Sequence, residues 1–215
     1  MENLIIIKLG GSLIYQEAGQ VLSRLGAVIQ QISQRQPVAI VPGGGPFADT
    51  VRHYGQELNL AEATCHPMAL LAMDQFGYLL RQFIPGSRLI EVSRPEDRHG
   101  IVPSQPAILL CSRCINLVPE SQIPRCWDAT SDTIAAYLAK LLNATLLIMI
   151  KSVDVAPEIK APDVDTCFRQ SLAPGLPVWF LNGRHPERLA ELMTTGRTQG
   201  VLLNSHNSQQ EKTRL

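Results

Sequence analysis

The chain has 215 residues, 45% of them apolar, and its 19 basic and 19 acidic side chains leave a formal net charge of zero. That length and apolar share suffice for a real core in one large domain or two small ones. The balanced charge gives no general attraction to nucleic acid or to an anionic membrane surface.

The chain opens with "NLIIIKLG", a continuous apolar run that reads as a strand covered on both faces. In "QEAGQVLSRLGAVIQQISQRQ" the apolar positions Val21, Leu22, Leu25, Val28, Ile29 and Ile32 recur at helical spacing. "PVAIV" predicts a second buried strand, and "PFADTVRHYGQEL" a helix opened by Pro46. "ATCHPMALLAMDQFGYLLRQF" predicts a longer helix, with Thr64 as its cap and Pro67 in its first turn. Strands follow in "SRLIEV" and "AILLCS", separated by a polar, proline-containing loop over residues 94 to 106. "RCWDATSDTIAAYLAKLLNA" opens as loop and turns helical near Ser131, with Ser131 or Asp128 as candidate caps. "TLLIMI" is another buried strand, "KSVDVAPEIKAPDVD" a loop, "LPVWFLN" a strand, "PERLAELMTT" a helix and "GVLL" a short last strand. This alternation predicts an α/β fold, a three-layer αβα sandwich with a mainly parallel central sheet. One domain over residues 1–204 and a polar, mobile tail over 205–215 are expected.

No stretch approaches a membrane span in length, and "MENLIIIKLGG" lacks the basic start of a signal peptide. The odd count of five cysteines reads as reduced thiols, so a cytoplasmic protein is expected, with no nucleic-acid or membrane partner. Cys111 and Cys114 in "CSRC" have metal or redox spacing, but no second pair accompanies them, and no metal site is expected.

Two glycine-rich strand ends carry the chemistry. "KLGGS" places Lys8 at a strand end before Gly10, Gly11 and Ser12, and "VPGGGPFAD" repeats the device with Gly43, Gly44 and Gly45. Each alone reads more readily as a turn than as an anion site. Together, on parallel strands, they face one carboxyl edge, where exposed amides suit phosphate oxygens and the lysine adds a point charge. In "WDATSDTIAAYLA", Asp132 falls in the first turn of a helix, and an aspartate beside phosphate-binding lysines would offset their repulsion.

The three stretches, in this order, resemble the amino acid kinase superfamily from about Leu4 to about Leu203. The resemblance implies the αβα fold and ATP-dependent phosphoryl transfer. It implies that Lys8 contacts the transferring phosphate and that Asp132 organises the lysines. Gly10, Gly11, Gly44 and Gly45 are implied to donate N–H groups to ATP and acceptor phosphates, with Ser12 and Asp154 on the nucleotide side. Gly43, Asp128 and Thr130 are implied on the acceptor side. Arg52 and Asp49, three residues apart, suit an acceptor's phosphate and ammonium, and equally suit a surface ion pair. The family's Val-Asp-Gly reads "KSVDVAPEIK" here, with Val155 for the glycine, which leaves Lys151 and Lys160 as candidates for the second phosphate lysine. The usual Gly-Thr pair near the C-terminus reads Gln199-Gly200.

"VPGGGPFADTVR" and "HPMALLAMDQFGYLL" narrow the resemblance to the kinases of methanofuran biosynthesis, which convert an aminomethylfuran phosphate to its diphosphate. That implies ATP and Mg2+ as cofactors, a small-molecule substrate and a homodimer or higher homo-oligomer. The altered SVDV loop keeps a second reading open, a non-catalytic nucleotide- or anion-binding relative. A third is a family member acting on another carboxylate or phosphate.

Overall fold

The computed structural model describes residues 3–155 and 164–204. Seven strands form one sheet: β1 (Ile5–Leu9), β2 (Val38–Pro42), β3 (Arg88–Glu91), β4 (Ala107–Leu110), β5 (Leu146–Lys151), β6 (Pro177–Asn182) and β7 (Val201–Asn204). The order is β3-β4-β2-β1-β5-β6-β7, and every pairing is parallel except the last, β6 with β7. Helices α1 (Gln20–Ser33), α2 (Gly45–Glu57), α3 (Glu62–Phe83), α4 (Cys111–Asn116), α5 (Ser131–Leu141), α6 (Phe168–Ser171) and α7 (Pro186–Thr195) complete the αβα sandwich expected from the sequence.

The pleat divides β1 between two cores. Ile5, Ile7 and Leu9 face a cluster with α1 residues Val21, Leu22 and Ile29 and with Leu189 of α7. Leu4 and Ile6 face the opposite cluster, which includes Ile134 and Leu138 of α5. Lys8 continues that second row, so a charged side chain at the strand's end is directed to the α5 side. Lys8 pairs in register with Met149, and Lys151 lies two residues further along β5, on the same face.

Helix starts depart from expectation in places. Glu17 and Ala18 adopt φ of 48° and 50° and Gly19 85°, which breaks the chain, so α1 begins at Gln20 after an irregular 3-10 stretch over Gly11–Gly19. α3 starts at Glu62 behind Ala61, so Thr64 is not its cap and Pro67 lies inside the helix. The loop over residues 94 to 106 contains a 3-10 turn, Pro95–Gly100, in which Asp97 accepts from the Ser93 and Arg94 amides at 2.7 and 3.1 Å. Short α6 has no counterpart in the sequence reading. The expected tail over 205–215 lies outside the described residues.

Candidate functional site

Both glycine-rich turns sit at the carboxyl rim of β1 and β2, against each other. The Gly43 amide donates to the Leu9 carbonyl at 2.8 Å, and the Gly10 amide to the Ile150 carbonyl at 2.9 Å. A Cβ on Gly11 would lie 2.0 Å from the Gly45 nitrogen, and one on Gly43 would lie 2.6 Å from the Gly11 nitrogen. Gly45 has φ of 55°, a conformation that strains any other residue. The glycines therefore let two backbones touch. Gly10, expected as an N–H donor to phosphate, spends its amide on β5, and Gly43, expected on the acceptor side, spends its amide on β1, so both shape the rim.

Beneath this rim, one buried carboxylate joins the two lysines. Lys8 Nζ lies 2.7 Å from Asp132 Oδ1, and Lys151 Nζ lies 2.6 Å from Oδ2. The Lys8 contact is short but poorly aligned, leaving Oδ1 without a well-directed hydrogen bond. Burial by itself would raise the Asp132 carboxyl; the Lys8 and Lys151 ammoniums outweigh it and hold the group below its ordinary value. Lys8 and Asp132 are buried and Lys151 is partly so. Of the two lysines left open by the sequence, Lys151 is thus placed beside Lys8. Lys160 lies outside the described residues. Val155, in the glycine's place, packs partly buried against the core on the α5 side.

A pocket partly open to solvent lies between the glycine turns, α2, α3 and the start of α5; Lys8, Asp132 and Lys151 are not among the residues that line it. Gly11, Ser12, Gly44 and Gly45 form one wall, Asp49 and Arg52 of α2 another, and Thr130 and Ser131 a third. The Arg52 guanidinium donates to Asp49 at 2.9 Å and stacks 4.7 Å from the centre of the Trp127 ring. The pair is both an i,i+3 surface ion pair and part of the pocket lining. Glu62 and His66, one turn apart on α3, also line it. Burial, then the Arg125 charge, lowers the His66 pKa and favours the neutral ring.

The β5–β6 side carries the remaining polar groups. Ser12 Oγ donates to Ser152 Oγ at 3.0 Å, tying the first glycine turn to the end of β5. Asp154 accepts from Asn182 at 3.0 Å and from Arg188, and these bonds, Arg188 first, hold its carboxyl below the ordinary value. Asp128 is exposed, and its carbonyl accepts from the Cys167 amide at 3.2 Å. Thr130 gives both its amide and its hydroxyl to Asp165, at 2.8 and 2.7 Å. Neither Ser131 nor Asp128 caps α5; Thr130 takes that position and its hydroxyl makes no cap bond. "CSRC" begins α4, with the Cys111 amide bonded to Asp74 at 2.6 Å. Burial pushes the Cys111 thiol well up and the Cys114 thiol to about 11.

The model of the amino acid kinase family matches residues 3–156, a span that holds both glycine turns, Lys8, Asp132 and Lys151. The chain belongs to the amino acid kinase family. A [5-(aminomethyl)furan-3-yl]methyl phosphate kinase of Methanocaldococcus jannaschii is 29% identical, over 87% of this chain and 92% of its own. A uridylate kinase of Methanothrix thermoacetophila is 26% identical, over 70% of this chain and 63% of its own. Among solved folds, the UMP kinase of Bacillus anthracis superposes with a TM-score of 0.73 at 16% identity, covering 95% of this chain and 97% of that one. The uridylate kinase of Archaeoglobus fulgidus does so at 0.65 and 18%, covering 91% and 96%. This amino acid kinase fold therefore has its charged triad where β1, β5 and α5 converge. β1 is flanked by β2 on one side and β5 on the other, the kind of switch point that opens a crevice at a parallel sheet's carboxyl edge.

Sequence reasoning passed over Glu62, Trp127, Asn182, Arg188 and Asp165. Trp127 stands inside the quoted "WDATSD" stretch, beside residues that were singled out. Asn182, Arg188 and Asp165 are single polar residues with partners distant in sequence, and no local spacing marks them or Glu62.

Proposed function

We propose that this ATP-dependent small-molecule kinase transfers the γ-phosphoryl group to the phosphate of an aminomethylfuran phosphate, forming a diphosphate. The arrangement of Lys8 and Lys151 on the two oxygens of Asp132 carries the reading. In-line phosphoryl transfer needs positioning and charge neutralisation more than covalent help from the protein. Lys8 and Lys151 would neutralise the oxygens of the transferring group, and Asp132 would hold the two ammoniums apart. A phosphate acceptor is already anionic at neutral pH, so no general base is required.

The pocket supports an acceptor with an anionic and a cationic end. Arg52, braced by Trp127, offers a guanidinium for phosphate, and Asp49 and Glu62 offer carboxylates for an ammonium. Leu70, Met73 and Ile134 supply apolar lining for a flat ring. ATP would enter from the β5–β6 side, past Gly10, Gly11, Ser12 and Asp154. Magnesium fits as an ion carried by the nucleotide: Asp132 and Asp154 are both engaged by cations, so phosphate oxygens and water would supply its ligands. It would screen the phosphate charges while bound.

Met68, Leu71 and Tyr78 stand exposed at heptad-like spacing along α3 and support a homodimer through that helix, which light scattering on Leu71→Arg tests. Among the described residues no helix is long and apolar enough to cross a membrane, and a cytoplasmic setting accords with the use of ATP.

The deciding experiment incubates purified protein with Mg-ATP and the aminomethylfuran phosphate and follows products by phosphorus NMR. A diphosphate and ADP are expected. Turnover of uridylate instead would move the acceptor, and ATP binding without turnover of any acceptor would make the chain a non-catalytic binding protein.

A further inference from the structure

The N-terminus of α5 is held by a residue far along the chain. Thr130 is the N-cap, with extended φ and ψ of −101° and −162°, yet its own side chain makes no cap bond. The bond normally made by an N-cap side chain, from the amide three residues on, is instead taken by Asp165: Thr133 N donates to Asp165 Oδ2 at 3.0 Å. The same oxygen accepts from Thr130 N at 2.8 Å and Thr130 Oγ1 at 2.7 Å, and Oδ1 accepts from the Thr133 hydroxyl. Four donors from the first turn of one helix thus converge on one carboxylate. Asp165 is itself anchored, because its carbonyl accepts from the Phe168 amide at 3.2 Å, starting α6. Phe168 is fully buried and meets Phe180 of β6 edge-on, with ring centres 6.1 Å apart.

Asp132 sits between Thr130 and Thr133 in that same turn. The direction of its carboxylate, and so the simultaneous reach to Lys8 and Lys151, depends on how the turn is set. We infer that Asp165 is a positioning residue for phosphoryl transfer, acting through Thr130 and Thr133 to hold Asp132 between the two lysines. It also ties the β5–β6 connection, on the nucleotide side, to the Thr130–Ser131 wall of the acceptor pocket. The inference rests on the kinase reading for its effect on rate, and on the structure alone for its effect on the lysines.

The test compares Asp165→Ala, Asp165→Asn and Thr133→Val with the parent protein. Misplaced charge at a reacting centre costs rate more than binding, so Asp165→Ala is expected to lower kcat by about 10- to 100-fold while both KM values move less than about threefold. Asparagine can keep the three bonds to one oxygen and donate its amide to the Thr133 hydroxyl, so Asp165→Asn should recover kcat to within about fivefold of the parent. Thr133→Val, which removes only the hydroxyl bond, should lower kcat in the same direction by less, and serves if Asp165→Ala does not fold. Combined with Asp132→Asn, Asp165→Ala should add no further loss, because the group it positions is gone. A merely structural cap would lower the melting temperature and leave kcat per folded molecule at the parent value, which would overturn the inference. If the parent turns over no acceptor, the kinase reading fails separately. The inference is then judged by carbon NMR titration of the lysine side chains: Lys8 and Lys151 titrating as in the parent after Asp165→Ala would overturn it, and displaced titrations would uphold it.

Discussion

At the scale of single residues, Lys8 and Lys151 meet on the two oxygens of Asp132, and the proposed chemistry rests on these three. Replacing Lys8 or Lys151 by alanine should cut kcat by about 100- to 1,000-fold, the usual cost of removing one group that faces developing charge; steady-state assays check this. Asp132→Ala leaves two ammoniums facing each other in a largely buried site. Breaking a buried pair in this way costs about 3–5 kcal/mol, measurable as a lower urea midpoint. The pH dependence follows from the depressed Asp132 carboxyl. Its folded pKa lies below its unfolded one, so the unfolded state binds the extra proton. Its stabilisation is complete above the unfolded value of about 4 and is lost as pH falls through the folded one. Urea midpoints of the parent should therefore drop below about pH 4, and Asp132→Asn should flatten that part of the profile. Lys8 was legible in the sequence because it ends an apolar run just before paired glycines. Lys151 was legible only as one of two candidates, since the β1–β5 register sets it near Lys8 and the packing of α5 brings Asp132 to it.

At the scale of elements, the glycine turns show how local composition and tertiary contact combine. Three glycines after β2 mark a turn in any chain. That they touch Gly11 of the other turn is a fact about two strands lying side by side. Gly11→Ala would drive a methyl group into the Gly45 backbone, 2.0 Å from its nitrogen, so the loops must separate. A loss of about 1–3 kcal/mol is expected, together with loss of activity. Gly100→Ala, where a Cβ meets nothing within 4 Å, is the control and should shift stability by less than about 0.5 kcal/mol. Thermal unfolding and turnover of both variants check the contrast. Helix α5 shows the opposite case. Its apolar periodicity is plain in "IAAYLAKLL", but the group that caps it lies beyond the next strand, so local reading offered Ser131 or Asp128 instead.

At the scale of the whole molecule, the proposed site spans the sheet's carboxyl edge, with the acceptor pocket at α2 and α3 and the nucleotide side at β6 and α7. Acceptor and nucleotide would meet over Lys8. Ligands that bind only the folded chain stabilise it by mass action, by about 2.7 kcal/mol at a hundredfold excess over Kd. Mg-ATP and the acceptor phosphate should each raise the melting temperature in scanning calorimetry. Arg52→Ala, which removes the guanidinium proposed for the acceptor's phosphate, should abolish the acceptor's shift and keep that of ATP.

The amino-acid sequence by itself determined the alternation of strands and helices, the parallel sheet and the two glycine turns at its edge. It also singled out Lys8 and Asp132, which the fold brings together as an ion pair. These rest on periodicity, glycine placement and short spacing, which are properties of neighbouring residues. Only the tertiary structure decided that Lys151 meets Asp132, that Arg52 is braced by Trp127 and that Asp165 caps α5. Each of those contacts joins residues from separate segments, and their geometry exists only once strand register and helix packing have brought the segments together.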